Sequence, residues 1–270
     1  MSLSGSIVSL MRNLDDLEIH RNANRDISCQ MKNSLNHPPN NPLPPTVVDR
    51  LSDKKIIDSW HTNASPWITA VREGQIPSRR LVTDQAILDA VCGCNPASVL
   101  DIGCGEGWLV RALAERGIRA LGVDAVPGLI DAARAGGGDY RLLSYDELAA
   151  GALHDTFDLL VCNFSLLGEA SVEGLVAAAP SLLNAGGALV VQTLHPLTAS
   201  GDLPYRDGWR EGSWAGFSDD FSDPAPWYFR TLESWVALFV GNGFIVREIR
   251  EPLHPDTGRP ASALFVLERG

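Results

Sequence analysis

The sequence predicts an open α/β fold in which a mostly parallel sheet carries helices on both faces. Three observations support this. Between residues 98 and 193, short apolar runs alternate with helix-like segments. Three glycines, Gly103, Gly105 and Gly107, occupy every second position directly after the first of those runs, in "SVLDIGCGEGWLVRALAERG". A second run, "ALGVDA", ends in Asp124. Strand and helix patterns in alternation imply right-handed βαβ units and a sheet covered on both sides.

The elements follow in order. Residues 1–50 are rich in Ser, Asn and Pro, and five of the eight positions from Pro38 to Pro45 are proline, so the segment reads as a disordered tail. A start at Met31 is an alternative reading. From Leu51 a helical spacing sets in through Ile56, Ile57, Trp60, Trp67, Ile68 and Val71. Leu81 to Val91 is a second amphipathic helix with Thr83 as its expected cap. Strands are predicted at 99–102, 120–123, 140–143, 158–164 and within "GGALVVQTLHP", with helices at 108–116, 129–135 and 172–183 between them. Residues 197–229 have no clean period. A helix over 232–240 and strands near 245–249 and 263–267 close the chain; no helix separates those strands, so they are expected to pair as an antiparallel edge.

Composition narrows the function. With 22 basic and 33 acidic side chains the net charge is −11, which repels phosphate backbones and anionic lipid surfaces; nucleic acid and membrane are not expected partners. No apolar run reaches the roughly 18–20 residues of a membrane-spanning helix, and the N-terminus lacks a signal-peptide pattern, so a cytoplasmic protein is expected. The five cysteines do not form a disulfide pattern, and Cys92-Gly-Cys94 lacks the second ligand pair that a tetrahedral metal site requires; no metal is expected.

In an open parallel sheet the ligand crevice lies beyond the carboxyl ends of the strands, where strand order reverses. Glycines there let a ligand approach the main chain closely. A dinucleotide fingerprint would require glycine at position 108, which is Trp108 here. Asp124, ending the second strand, suits the paired hydroxyls of a ribose. The pocket therefore suits a nucleoside without a diphosphate.

The ordered segments "VLDIGCGEGW", "LGVDA", "FDLLVCNFSLL" and "LLNAGGALVVQTLHP" resemble the class I S-adenosylmethionine-dependent methyltransferase family over about residues 80–270. The resemblance implies a Rossmann-like fold with a seven-stranded, mostly parallel sheet and a reversed last strand. It implies S-adenosylmethionine as cofactor and S-adenosylhomocysteine as product. The loop of Gly103, Cys104, Gly105 and Gly107 would run beneath the methionine part, with Asp124 and Ala125 at the ribose. Ser144 and Tyr145 would lie near the adenine, and Asn163 would face the methyl group. Asp101 has two readings, a loop cap or a contact to the cofactor ammonium. Trp108 is either core or a cover for the cofactor. Residues 51–92, with Trp60, Trp67 and Arg79, are expected to form a helical lid, although helix packing explains the tryptophans equally well.

Methyl transfer requires alignment of the acceptor, and a base where the acceptor must lose a proton. His195, at the end of the fifth strand, is the candidate base; the alternative is a hydrogen bond to a loop. The aromatic-rich insertion at 197–229 and its flank offer Tyr205, Trp209, Arg210, Trp227 and Arg230 as a pocket for a small organic acceptor, against a self-contained minicore or a homodimer contact. The expected activity is O- or N-methylation of a small molecule. The rival readings are a catalytically silent cofactor-binding regulatory or scaffolding protein, a macromolecular methyltransferase and a nicotinamide-dependent dehydrogenase.

Overall fold

The computed structural model describes residues 50–270; the expected tail at 1–50 lies outside them, apart from Arg50. Helix α1 (Asp53–Arg72) opens the fold, with the Ser52 hydroxyl accepting the Lys55 N–H. A π-helical turn (Arg79–Thr83) runs directly into α2 (Asp84–Gly93). Thr83 is therefore no cap: its backbone is already helical, whereas a capping residue is extended. Then follow β1 (Ser98–Ile102), α3 (Trp108–Ala114), β2 (Arg119–Asp124), α4 (Pro127–Ala135) and β3 (Asp139–Leu142). Next come α5 (Tyr145–Ala149), β4 (Phe157–Asn163), α6 (Ala170–Ala178), β5 (Leu183–Thr193) and α7 (Pro196–Ser200). The chain ends with β6 (Gly208–Arg210), β7 (Trp227–Phe229), α8 (Leu232–Gly241), β8 (Phe244–Arg250) and β9 (Ala263–Arg269).

Seven strands form one sheet in the order β3-β2-β1-β4-β5-β9-β8, parallel except for β9, which is antiparallel to both neighbours. The last two strands do pair antiparallel at one side of the sheet, but the final strand lies inside and β8 takes the edge. Burial explains the order: the "ALFVL" of β9 is buried apart from Val266, whereas β8 exposes Ile245, Arg247, Glu248 and Ile249. An apolar strand needs cover on both faces, and a mixed one tolerates an edge.

Alternation along the strands builds two core layers. Val99, Leu159, Val161 and Val190 pack with Ile87 and Val91 of α2 and Leu109 and Leu113 of α3. Leu100, Leu160, Cys162 and Val191 pack on the other face with Val172 and Leu175 of α6 and Trp235 and Phe239 of α8. Each fully buried aliphatic or aromatic side chain contributes on the order of 1.5–3 kcal/mol. Thus α2 belongs to the core, and within 51–92 the cover over the crevice comes chiefly from α1. No described helix is long and apolar enough to cross a membrane.

Candidate cofactor and acceptor site

The chain leaves β1 toward β2 and β3 on one side and returns to β4 and β5 on the other, so strand order reverses between β1 and β4. A cavity of about 420 Å³ opens at that point. It is lined by the glycine loop after β1, the ends of β2 and β4, the turn before α5, and α1 above.

The glycine loop is held in place from below. Gly103 has φ +76°, and a Cβ there would lie 2.3 Å from the Ser165 Cβ. Ser165 cannot retreat freely, because its hydroxyl donates to the Ile102 carbonyl at 2.7 Å and its own carbonyl accepts the Tyr145 hydroxyl at 3.0 Å. Only glycine fits that crossing. Asp124 joins the loop to β2: its Oδ2 accepts the Gly105 N–H and its Oδ1 the Val126 N–H, each at 2.9 Å. Burial raises the Asp124 pKa, and these backbone donors oppose the rise.

Gly103, Cys104, Gly105, Trp108, Asp124, Ala125, Ser144, Tyr145 and Asn163 all line the cavity. Asn163 is oriented by Gln192, whose Nε2 donates to the Asn163 Oδ1 at 2.8 Å, leaving the Asn163 amide NH2 as its donor group. Ser144 caps α5 in a reciprocal box with Glu147, which sets the turn beside the cavity. Arg79 lines the cavity with its guanidinium 4.9 Å from the Trp108 ring and its Nε on Asp84 at 3.0 Å. Trp108 therefore both packs and lines the cavity.

Other expected residues lie elsewhere. Asp101 is 2% exposed beneath the loop; burial first, and then the nearby Asp124 charge, push its pKa up to about 8, so it is protonated at neutral pH. That favours a structural role over contact with an ammonium. Gly107 turns the chain into α3 with its carbonyl accepting the Tyr140 hydroxyl, outside the cavity lining. Burial raises the thiol pKa of Cys104, so its thiol is neutral and serves by its size. His195 is turned away: it is buried at the start of α7 with Nε2 2.6 Å from Glu251 Oε1, and does not line the cavity.

The insertion likewise builds a minicore rather than an acceptor wall. Tyr205 accepts the Leu232 N–H, Trp209 donates to Glu169, and Arg210 bonds the Pro204 and Arg206 carbonyls over the Phe229 ring. Trp227 is buried in the same cluster. Arg230, 4% exposed, donates to the Gly168 and Glu169 carbonyls. These groups hold one another and the loop after β4, and none lines the cavity. Other residues of the insertion pack against α1, where Trp214 meets Trp60 at 5.8 Å and Phe217 stacks on Trp67 at 6.4 Å.

The sequence reading missed Asp53, Ile56 and Ile57 of α1 and Phe164, Ser165 and Leu167 after β4 as lining residues. Asp53 Oδ1 accepts the Glu169 N–H at 2.8 Å and Oδ2 the Ser171 N–H at 3.2 Å, tying α1 to the start of α6. Phe164 has φ +53°, a rare conformation for an aromatic residue and a usual companion of functional sites. Nothing in the local sequence announces either feature.

Together the switch-point cavity, the glycine loop and the acid ending β2 define an α/β protein whose cavity lies where open sheets of this kind take their ligands. Comparison with known proteins carries this further. The family described as "Methyltransferase domain" matches residues 99–187. Ubiquinone biosynthesis O-methyltransferases from Xylella fastidiosa and Xanthomonas campestris are 36% and 34% identical to this chain over 110 residues. Those matches cover 38% of this chain and 44% and 46% of the relatives, so the chain spans less than half the length of the curated proteins it matches. Magnesium protoporphyrin IX methyltransferase from Synechocystis superposes with a TM-score of 0.55 at 16% identity, over 81% of this chain and 98% of that one. A Burkholderia thailandensis 1,6-didemethyltoxoflavin-N1-methyltransferase gives 0.52 at 16% identity, over 77% and 87%; both likenesses concern the fold. Residues 99–187 thus match a methyltransferase domain, and the fold around them is that of S-adenosylmethionine-dependent methyltransferases.

Proposed function

We propose that this protein transfers a methyl group from S-adenosylmethionine to a small organic acceptor. The observation that carries the reading is the Asp124 carboxylate, set at the cavity by two backbone N–H groups beside a glycine loop that brings bare main chain to the same space. When bound, the cofactor supplies an electrophilic methyl group on a sulfonium, with a neutral thioether as leaving group.

The chain's own residues bind and align. Asp124 would accept hydrogen bonds from the ribose hydroxyls, the loop from Gly103 to Gly105 would underlie the amino-acid part, and Ser144 and Tyr145 would flank the base. Arg79, buried beside Trp108, would supply a cation to the cofactor carboxylate. Ile56, Trp60, Phe164 and Leu167 form apolar walls that exclude water and suit an acceptor with an apolar body. Asn163, with its amide oriented by Gln192, contributes a donor at the reacting end. The acceptor atom that attacks the methyl carbon is oxygen or nitrogen, and the names of the curated relatives support oxygen.

Calorimetric titration with S-adenosylmethionine tests the reading. Micromolar binding that is lost in Asp124→Ala is the expected result. Absence of binding by folded wild-type protein overturns it.

A further inference from the structure

Glu106 is the only charged residue of the glycine loop, and it is 1% exposed. Arg111, one turn into α3, already neutralises it: Arg111 Nη2 lies 2.9 and 2.7 Å from the two carboxylate oxygens, and Nη1 donates to the Glu106 carbonyl at 2.7 Å. A second cation arrives from far along the chain. Arg72, the last residue of α1, places Nε 3.1 Å from Glu106 Oε2 and Nη2 2.8 Å from the Ala132 carbonyl on α4. Its side chain is 44% exposed, so it adds little to charge burial. What it adds is geometry, since one planar fork connects the end of α1, the glycine loop and α4.

The same helix roofs the cavity with Trp60, Trp67 and Val71, and its other end is tied to the start of α6 by Asp53. Arg72 is thus the tether at the glycine-loop end of the roof. We propose that Arg72 is a positioning residue for the nucleoside cofactor: through Glu106 it links the seating of α1 to the conformation of the loop beneath the ligand. Closure of the roof and retention of the cofactor are then one event. This rests on the functional reading above.

The probe is S-adenosylhomocysteine, followed by calorimetry and by stopped-flow fluorescence of the cavity tryptophans. Arg72→Met is expected to weaken binding about tenfold, chiefly through faster dissociation, as loss of a charge-assisted tether predicts. Arg72→Lys restores part of the affinity, because an ammonium reaches the carboxylate but cannot reproduce the fork. In a Glu106→Gln background the Arg72→Met effect shrinks below about twofold, since the two residues act as a unit. Wild-type affinity and dissociation rate in folded Arg72→Met overturn the inference. So does an equal loss in the Glu106→Gln background, which assigns the effect to the Arg72 stem alone. Should Glu106→Gln not fold, the comparison of Met with Lys decides: equal losses overturn the proposal. A wild-type protein that does not bind the probe overturns the functional reading and this inference with it.

Discussion

One carboxylate oxygen of Asp124 accepts the main-chain N–H of Gly105 at 2.9 Å, so the residue that ends β2 also shapes the loop that follows β1. The carboxylate fixes the loop geometry and, under the proposed function, is also the group that binds the ligand. Asp124→Asn keeps one acceptor oxygen and turns an amide toward a backbone donor. Its affinity for S-adenosylhomocysteine is expected to fall about 10- to 100-fold, the range for a hydrogen bond to a charged group, as read by calorimetry.

Gly103 and Gly117 share nearly the same φ, +76° and +77°, in different surroundings. A Cβ at Gly117 meets nothing within 4 Å, so Gly117→Ala is expected to cost only the left-handed strain, about 1–2 kcal/mol in urea unfolding. At Gly103 the Cβ collides with Ser165. Gly103→Ala is expected to cost more and to abolish nucleoside binding, whereas Gly117→Ala leaves binding within about twofold, because its effect is confined to the backbone.

Asp101 makes the cofactor-free protein sensitive to pH. Its folded-state pKa of about 8 lies above the ordinary carboxyl value, so the folded state binds a proton that the unfolded chain releases. The associated stability is fully present below about pH 4 and is lost as pH rises through about 8, on the order of 1 kcal/mol per unit at the steepest. Asp101→Asn cannot ionise. Thermal melts of the variant are expected to match wild type at or below about pH 4 and to exceed it by a margin that grows as pH rises to about 8.

Trp209 and Arg230 brace the loop between β4 and α6 from outside the cavity. Trp209→Phe removes one bond to Glu169 and is expected to cost about 1 kcal/mol. Arg230→Met strips the Gly168 and Glu169 carbonyls of their donors and is expected to cost about 3 kcal/mol. Both effects are read by denaturant titration, with cofactor affinity expected within about twofold of wild type for Trp209→Phe, whose partner lies outside the cavity lining.

Legibility followed sequence distance. The strand pattern, the glycine loop and Asp124 lie within local runs whose periodicity and end residues carry their meaning, and all reappear in the structure at the expected places. His195 had the right strand end but the wrong direction: a strand terminus specifies a position, while the neighbouring Glu251, 56 residues on, decides where the imidazole points. The aromatics and arginines of the insertion were equally ambiguous. Composition could not distinguish an acceptor wall from a minicore, because both bury rings and pair guanidinium groups.

The sequence by itself determined the sheet's helical cover, the crevice beyond the strand ends and the residues that present bare backbone and a carboxylate there, because these depend on period, turn chemistry and the ends of single elements. Tertiary structure alone decided that β9 enters the sheet between β5 and β8, that α1 roofs the cavity while α2 joins the core, and that Arg72 meets Glu106 across 34 residues. Those outcomes depend on which surfaces bury one another and on which charges meet after packing. Residues distant in sequence acquire such partners only when the chain is folded.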